Sequence, residues 1–282
     1  CIRDRSYLIH RAVRYDVTEK TNHLGYPVVK IHEFKTETIP PFLEASARAL
    51  KLGNGLIDHK SYEAIKHSGL HDDRLGFYKT CADIDDAPFE IGRVHAFTKG
   101  WLERECNFLH MDYKYMLGLL RAGYYDLFFE EMKTNYVPFM DPEVYGRNPA
   151  EASSFIVPTC NPDESKWGQG FFARLTGANA EMLDMYVRLF AGDHIFSLKD
   201  GKLTLTLSPK LPGSFFDEDG KASFRLFDKA TVTYVNPKKL DLYKGGYSLS
   251  YVVDGKRLDE VSGELAIALR EGKVKEIEAH IE

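Results

Sequence analysis

Residues 102–121 read LERECNFLHMDYKYMLGLLR. Leu102, Cys106, Leu109, Tyr113, Met116, Leu117 and Leu120 recur at the period of one helical stripe. Phe108, Met111, Tyr115 and Leu119 add a second apolar stripe, and Glu103, Asn107, His110, Lys114 and Arg121 form a polar one. A helix that is apolar on two sides is largely buried, so its polar stripe faces either solvent or an internal cavity. Gly123 ends this helix, and Tyr125 to Lys133 starts a partner. A helix, a short loop and another helix is the rhythm of stacked or toroidal helical folds.

Upstream, a turn-like Asn22–Gly25 leads into the β-branched stretch Pro27–Ile31. Pro40-Pro41 then precedes a helical pattern from Phe42 to Leu52, closed by Gly53, and a short helix is predicted from Ser61 to His67. Downstream, a third clear helix runs from Gly177 to Phe190 and ends at Ala191-Gly192-Asp193. There the period changes from 3.6 to 2. Leu203–Leu207 alternates strictly, and Ala222–Leu226, Ala230–Tyr234, Tyr247–Val253 and Val274–Ile281 are further strands, separated by Pro, Gly and Asn breakers. The pattern predicts an α+β chain of two modules, helical over 1–192 and β over 193–282.

Of the 282 residues 44% are apolar, enough for a packed core, and the formal net charge of −5 with no basic run excludes a nucleic-acid partner. Sixteen Tyr and 18 Phe suit a carbohydrate-binding interior, where rings cover sugar faces; an ordinary core with polar edges uses them equally well. Cys1, Cys81, Cys106 and Cys160 are scattered without a CxxC pair, which reads as reduced thiols in the cytosol. No signal peptide and no long apolar run support secretion or membrane insertion. The chain opens Cys1-Ile2-Arg3-Asp4 without a Met and reads as part of a longer polypeptide.

No dinucleotide fingerprint, P-loop or G-x-S-x-G elbow is present, so no cofactor is expected. Cys106 and His110, and His67 and His71, stand at i, i+4, but neither pair has further ligands beside it, and no metal is expected. Thr176 can cap the helix that begins at Gly177, and free amides there with a hydroxyl suit an anion; a plain N-cap explains the same residues. His110 can face an anion from the polar stripe, or be a satisfied core histidine. Glu90 and Lys99 lie in the Gly-punctuated segment PFEIGRVHAFTKGW, where by themselves they are solvated side chains.

Three longer segments carry a resemblance: FEIGRVHAFTKGWLERECNFLHMDYKYMLGLLRAGYYDLFFEEM, PFMDPEVYGRNPAEASSFIVPTCNPDESKWGQGFFARLTGANAEM, and LTLSPKLPGSFF with FDKATVTYVNP. Together they resemble the family 94 glycoside phosphorylases, the cellobiose phosphorylase group, over most of residues 87–240. The FEIGR and FMDPEVYGR wording is similar to the relatives that act on longer oligoglucans. The resemblance implies the C-terminal portion of an (α/α)6 barrel followed by a small antiparallel β-sandwich. It implies inverting phosphorolysis of β-linked gluco-oligosaccharides to α-glucose 1-phosphate, with inorganic phosphate as co-substrate and attacking nucleophile.

By the same resemblance, His110, Thr176 and Gly177 correspond to phosphate-binding residues, and Glu90 and Lys99 to residues that contact the leaving sugar. The match of Glu90 and Lys99 requires a short insertion between Lys99 and His110. Where cellobiose phosphorylase places a glutamine on phosphate, residues 153–157 read Ser-Ser-Phe-Ile-Val. The general acid Asp and a phosphate-binding Arg are expected upstream of residue 1, so the chain alone is expected to be inactive. The upstream part of the same enzyme is then a partner, and a homodimer stays open. Two rival readings remain: a non-catalytic carbohydrate-binding or structural piece, and an inverting hydrolase on the same scaffold.

Overall fold

The computed structural model describes residues 6–53, 55, 57–172 and 176–282; the side chain of Thr176 lies outside the described set. The chain divides into two compact units, Cys1–Met182 and Leu183–Glu282. Among the described residues it is a mixed α and β structure of seven α-helices and several small sheets, none of them closed. The division falls within the third helix read from the sequence, before its expected end at Ala191. None of the described helices is long and apolar enough to cross a membrane.

The first unit opens with a long antiparallel hairpin, β1 (Leu8–Thr21) and β2 (Pro27–Thr38). Its tip is set by Asn22, whose side-chain oxygen accepts from the amides of Leu24 and Tyr26. The Pro27–Ile31 stretch belongs to β2, but the ribbon is far longer than that stretch. Most of its residues are exposed, Tyr15, Val17, Val29 and Ile31 among them. There follow α1 (Leu43–Lys51), α2 (His59–Ile65), the short pair β3 (His71–Asp72) and β4 (Phe77–Tyr78), and the short strand β5 (Asn107–Phe108). Next come α3 (Leu109–Arg121), α4 (Tyr125–Asn135), α5 (Pro142–Tyr145), β6 (Phe155–Ile156) and β7 (Gly170–Phe171). The last helix of the series, α6 (Thr176–Phe190), crosses the division between the units.

The helix expected from Leu102 begins only at Leu109, and this is a correction. Leu102 and Glu105 take positive φ, 54° and 56°, which a right-handed helix of L-residues does not contain. Trp101 and Arg104 close a tight turn, and Asn107 and Phe108 pair with Ile156 and Phe155 as β5. Residues 102–108 are therefore covered by loop and sheet contacts, and their helical spacing is coincidental. Cys106 and His110 accordingly share no helix. From Leu109 onward both apolar stripes are buried, from Leu109, Met111 and Tyr113 to Leu120, each large apolar side chain contributing about 1.5–3 kcal/mol. α1 crosses α3 closely because residue 118 is glycine: a Cβ there would lie 2.8 Å from Leu50 Cβ.

A polar knot ties three further elements together. The buried Glu131 of α4 accepts from the Tyr62 hydroxyl of α2, from the Tyr78 hydroxyl of β4 at 2.8 Å, and from Lys66 Nζ at 3.1 Å. Asn135, one turn on, donates to its other oxygen at 3.1 Å. A buried carboxylate is tolerated only with such saturation.

The second unit holds the hairpin β8 (Phe196–Lys199) with β9 (Lys202–Leu205). It also holds β10 (Lys221–Leu226), β11 (Ala230–Val235), β12 (Leu249–Val253), β13 (Lys256–Leu258), α7 (Glu264–Glu271) and β14 (Glu276–Ile281). The last five strands form one sheet in the order β10-β11-β14-β12-β13. The antiparallel pattern expected from the alternation holds at three junctions and gives way to parallel pairing between β11 and β14. The cause is α7, a helix not read from the sequence. Strands that run the same way need a crossover, and α7 lies between β13 and β14 in the chain, which brings β14 back between β11 and β12. Within this unit the rings of Phe190, Phe224 and Tyr234 pack on one another, and the Tyr234 hydroxyl donates to Phe190 O at 2.5 Å.

Candidate functional site

β5, β6 and β7 form a small antiparallel sheet whose register places Phe108 opposite Phe155 and Phe155 opposite Phe171. The rings of Phe108 and Phe155 stack at 4.9 Å between centroids. Phe172, just past β7, stands edge-on to Phe155 at 6.3 Å and tilts against Trp101 at 5.9 Å. Its backbone has φ 60°, held by Ser154, whose amide donates to Phe172 O at 2.8 Å. At the other end Phe108 stands edge-on to His110 at 6.0 Å. A row of partly exposed rings thus runs from Trp101 to His110. Such faces suit the apolar sides of pyranose rings.

His110 sits in the first turn of α3, where the Leu109 amide is held by Ser154 O at 3.0 Å. The start of α6 lies against it. A Cβ on Gly177 would fall 2.5 Å from His110 Nδ1 and 2.6 Å from Cε1, so only glycine leaves room for the ring. On its other edge, His110 Nε2 lies 3.5 Å from Glu181 Oε1, one turn further along α6. The imidazole is therefore bracketed by the N-terminal turn of one helix and a carboxylate of the same helix. Burial, helped by Lys114, holds the imidazole pKa below its ordinary value, against the pull of Glu181 and Glu44. Amides in the first turn of a helix lack intrahelical partners, and the helix dipole favours negative charge there. Free amides of that kind suit an anion, and Nδ1 is the His110 ring atom nearest the place a Gly177 Cβ would take.

The structure thus brings His110 and Gly177 together. Thr176 opens α6, but its side chain lies outside the described residues. Glu90 and Lys99 fare differently. Glu90 is exposed on the turn Phe89–Ile91; Glu37 chiefly holds the charge of the Arg11 guanidinium of β1, and Glu90 adds to it. Lys99 is taken by other carboxylates: Asp83 at 2.5 Å, Asp85 at 3.4 Å and Glu105 at 3.6 Å. Arg104 joins the cluster through Asp85 at 2.5 Å, and Lys79 through Glu105 at 3.9 Å. The carboxylate oxygens of Asp83, Asp85 and Glu105 lie within 4.8 Å of one another, the geometry of a cation site, with the Lys99 ammonium among them.

Sequence reading missed Glu181, Asp83, Asp85 and Glu105. Glu181 stands four residues after Gly177, the spacing of one helical turn, and could have been read from that. Asp83 and Asp85 carry a weaker signal, alternate acids in a loop. The partnership with Glu105 depends on the αL turn at 102–105 and has no sequence signature. No protein-family model matches the chain, and no curated protein matches it.

Proposed function

We propose that this chain is part of an inverting phosphorylase that cleaves β-linked gluco-oligosaccharides to α-glucose 1-phosphate. The observation that carries the reading is the packing of His110 against Gly177 at the start of α6. Phosphate bound there would accept from His110 Nδ1 and the Gly177 amide, with Thr176 the further donor that the resemblance implies. Phosphate is already a nucleophilic anion, so attack on the anomeric carbon needs no protein base, in contrast to an inverting hydrolase that must activate water. The protein's task is to hold a doubly charged anion beside a forming oxocarbenium ion. The aromatic row from Trp101 to His110 supplies a surface on which a glucan chain could lie. In this reading the helices of the first unit are the later part of an (α/α)6 barrel, and the sheet of the second unit is its C-terminal β-sandwich module. The general acid belongs to a segment other than these residues, and the enzyme works in the cytosol.

The test has two parts. Phosphate binding to the chain is measured by calorimetry, with His110→Ala as control. Polypeptide that includes the upstream segment is then incubated with β-1,2-, β-1,3- and β-1,4-linked glucose disaccharides, with and without phosphate. Phosphate-dependent release of α-glucose 1-phosphate is the expected result. Cleavage that proceeds without phosphate would replace phosphorolysis by hydrolysis, and absence of phosphate binding that depends on His110 would remove the reading.

A further inference from the structure

We propose that Asp112 is an uncharged acid in the folded chain, joined to Asn107 in a reciprocal acid–amide pair, and that this pair positions His110. The pair stands on its own geometry; its effect on phosphate rests on the phosphorylase reading above. Both side chains are fully buried. Asn107 Nδ2 donates to Asp112 Oδ2 at 2.7 Å and to Tyr78 O at 2.9 Å. The remaining oxygens, Asn107 Oδ1 and Asp112 Oδ1, have no hydrogen-bond partner among the described residues. Leaving two buried acceptors bare is costly. One proton on Asp112 Oδ1 satisfies both: its O–H donates to Asn107 Oδ1, while Asn107 Nδ2 goes on donating to Asp112 Oδ2. A protonated carboxyl carries just that one donor.

Glu131 shows what a buried carboxylate needs. Tyr62, Tyr78, Lys66 and Asn135 all donate to it, whereas Asp112 receives from Asn107 alone. One amide does not compensate a carboxylate for its lost water, and the first-turn dipole of α3 favours the anion by less than that cost. Burial accordingly holds the Asp112 carboxyl well above the usual carboxylate range; the bond from Asn107 opposes this, and the charge of Glu131 on α4 adds to it. Tyr115 of α3 lies within reach of the charges of Glu131 and Asp112. β4 brings the Tyr78 carbonyl, and the Lys66 ammonium is committed to Glu131 at 3.1 Å.

The place of the pair gives its role. Asn107 opens β5 and Asp112 lies in the first turn of α3, so the pair closes across Phe108, Leu109, His110 and Met111. Phe108 is paired with Phe155 there, and the Leu109 amide donates to Ser154 O at 3.0 Å. Through Tyr78 O the same amide ties this strand-to-helix turn to β4. His110 leaves the turn with its ring against the place of a Gly177 Cβ and beside Glu181. Loosening the turn therefore moves the ring. Asp112 acts through His110, as a positioning residue.

Infrared difference spectra of wild type against Asp112→Asn, with isotope-labelled aspartate, read the acid directly. The expected result at neutral pH is a protonated-carboxyl stretch that the variant lacks. Urea unfolding of the same two proteins over about pH 5 to 8 reads the proton. The unfolded chain gives it up above the ordinary value of 3.8, and the folded chain keeps it. The stability that wild type draws from the pair is complete below that value and is lost as pH rises toward the folded one. Its folding constant relative to Asp112→Asn should therefore fall by about tenfold per pH unit. Phosphate affinity and the ring-nitrogen NMR shifts of His110 are then compared in wild type, Asp112→Asn and Asp112→Leu. Asparagine can keep a reciprocal pair, so the shifts should stay and affinity should hold within about twofold. Leucine leaves Asn107 without its partner; it should move the shifts and weaken phosphate by about tenfold, the size of one hydrogen bond to a charged group. If Asp112→Leu fails to fold, Asp112→Ala takes its place, and the stretch and the pH slope decide the pair without either. No stretch and a pH-independent ratio would show an ionised Asp112 and overturn the inference. Unmoved His110 shifts and phosphate affinity in folded Asp112→Leu would overturn the positioning role. Failure of wild type to bind phosphate would count against the phosphorylase reading, while His110 shifts that follow Asp112→Leu but not Asp112→Asn would still support the pair.

Discussion

Gly177→Ala tests the anion site most directly, because the added atom has one obstacle. The new Cβ would lie 2.5, 2.6 and 2.7 Å from Nδ1, Cε1 and Cγ of His110. Carbon contacts are comfortable at about 3.5–4.0 Å, so the imidazole must retreat by roughly 1 Å. Its retreat is resisted by Glu181 on one side and by the Phe108 ring on another. Overpacking of this kind costs about 1–3 kcal/mol. Helix propensity offsets part of it, since alanine is favoured over glycine by about 1 kcal/mol. The net change in thermal stability should therefore be small, a few degrees at most. Phosphate should suffer more. Displacing the imidazole removes one hydrogen bond to a charged group, about 1.5–3 kcal/mol, or roughly a 10- to 150-fold weaker phosphate affinity. Calorimetric titration with phosphate, paired with a melting curve, reads both quantities. Phosphate affinity equal to wild type in a folded Gly177→Ala protein would refute the reasoning, because no anion could then depend on the place of that ring.

Sulfate, which does not titrate near neutrality, should bind more tightly as pH falls. The unliganded His110 sits below its ordinary value of 6.5, and a bound anion raises it, so binding takes up a proton. Affinity should rise as pH drops through about 6.5 and level off below the depressed value. His110→Asn should flatten the profile; an unaltered slope would exclude His110 as the proton acceptor. Glu131→Ala leaves the hydroxyls of Tyr62 and Tyr78 and the Lys66 ammonium without their shared acceptor. It should cost about 3–5 kcal/mol, measured by urea unfolding, and a loss below 1 kcal/mol would show that the knot is not what joins α2, β4 and α4. Cys81 and Cys160 are both pushed up to about 11 by burial, and burial also raises Cys106 well above the ordinary thiol value. The buried thiols of Cys81 and Cys106 should react with Ellman's reagent at pH 7.5 only as the chain unfolds, with the half-buried Cys160 reacting earlier, and fast labelling of Cys81 or Cys106 in the native protein would contradict their placement. Phe172→Ala should weaken binding of oligosaccharides that reach the ring row and leave phosphate unaffected; equal affinity for short and long glucans in wild type would argue against the row as a platform.

Where the sequence was legible, a single local rule decided the outcome. The apolar period of Tyr125–Lys133 and Gly177–Phe190 placed α4 and α6, and strict alternation placed β9, β10 and β11 to within a few residues. Residues 102–108 defeated the same rule. Leu102, Cys106 and Leu109 fall on a helical stripe, yet Cys106 is buried against β6, where its thiol donates to Ile156 O at 3.1 Å, and burial leaves the same apolar signature whatever backbone delivers it. α7 is eight residues long, too short for its period to stand out, and the parallel pairing it allows was hidden with it. At the site, the approach of Gly177 to His110 had a local clue at each end, a helix start and a polar stripe. The partners of Lys99 had none, because Asp83, Asp85 and Glu105 meet through loop geometry rather than through spacing along one element.

The β1–β2 ribbon sets a hierarchy of opening within the first unit. Two strands alone are marginal in water, and this pair keeps most of its residues in contact with solvent along 14 and 12 positions. Its cross-strand ion pairs, Arg11 with Glu37 and Arg14 with Glu33, are solvent-screened and hold little. The amides of the ribbon are thus free to exchange with solvent through local fraying, while those of α3 exchange only when the packed helices open. A protease that reaches the tip at Asn22–Gly25 would meet chain whose cleavage leaves α1, α3 and α4 folded. The ribbon can therefore fray while the helices that carry His110 and Gly177 stay packed.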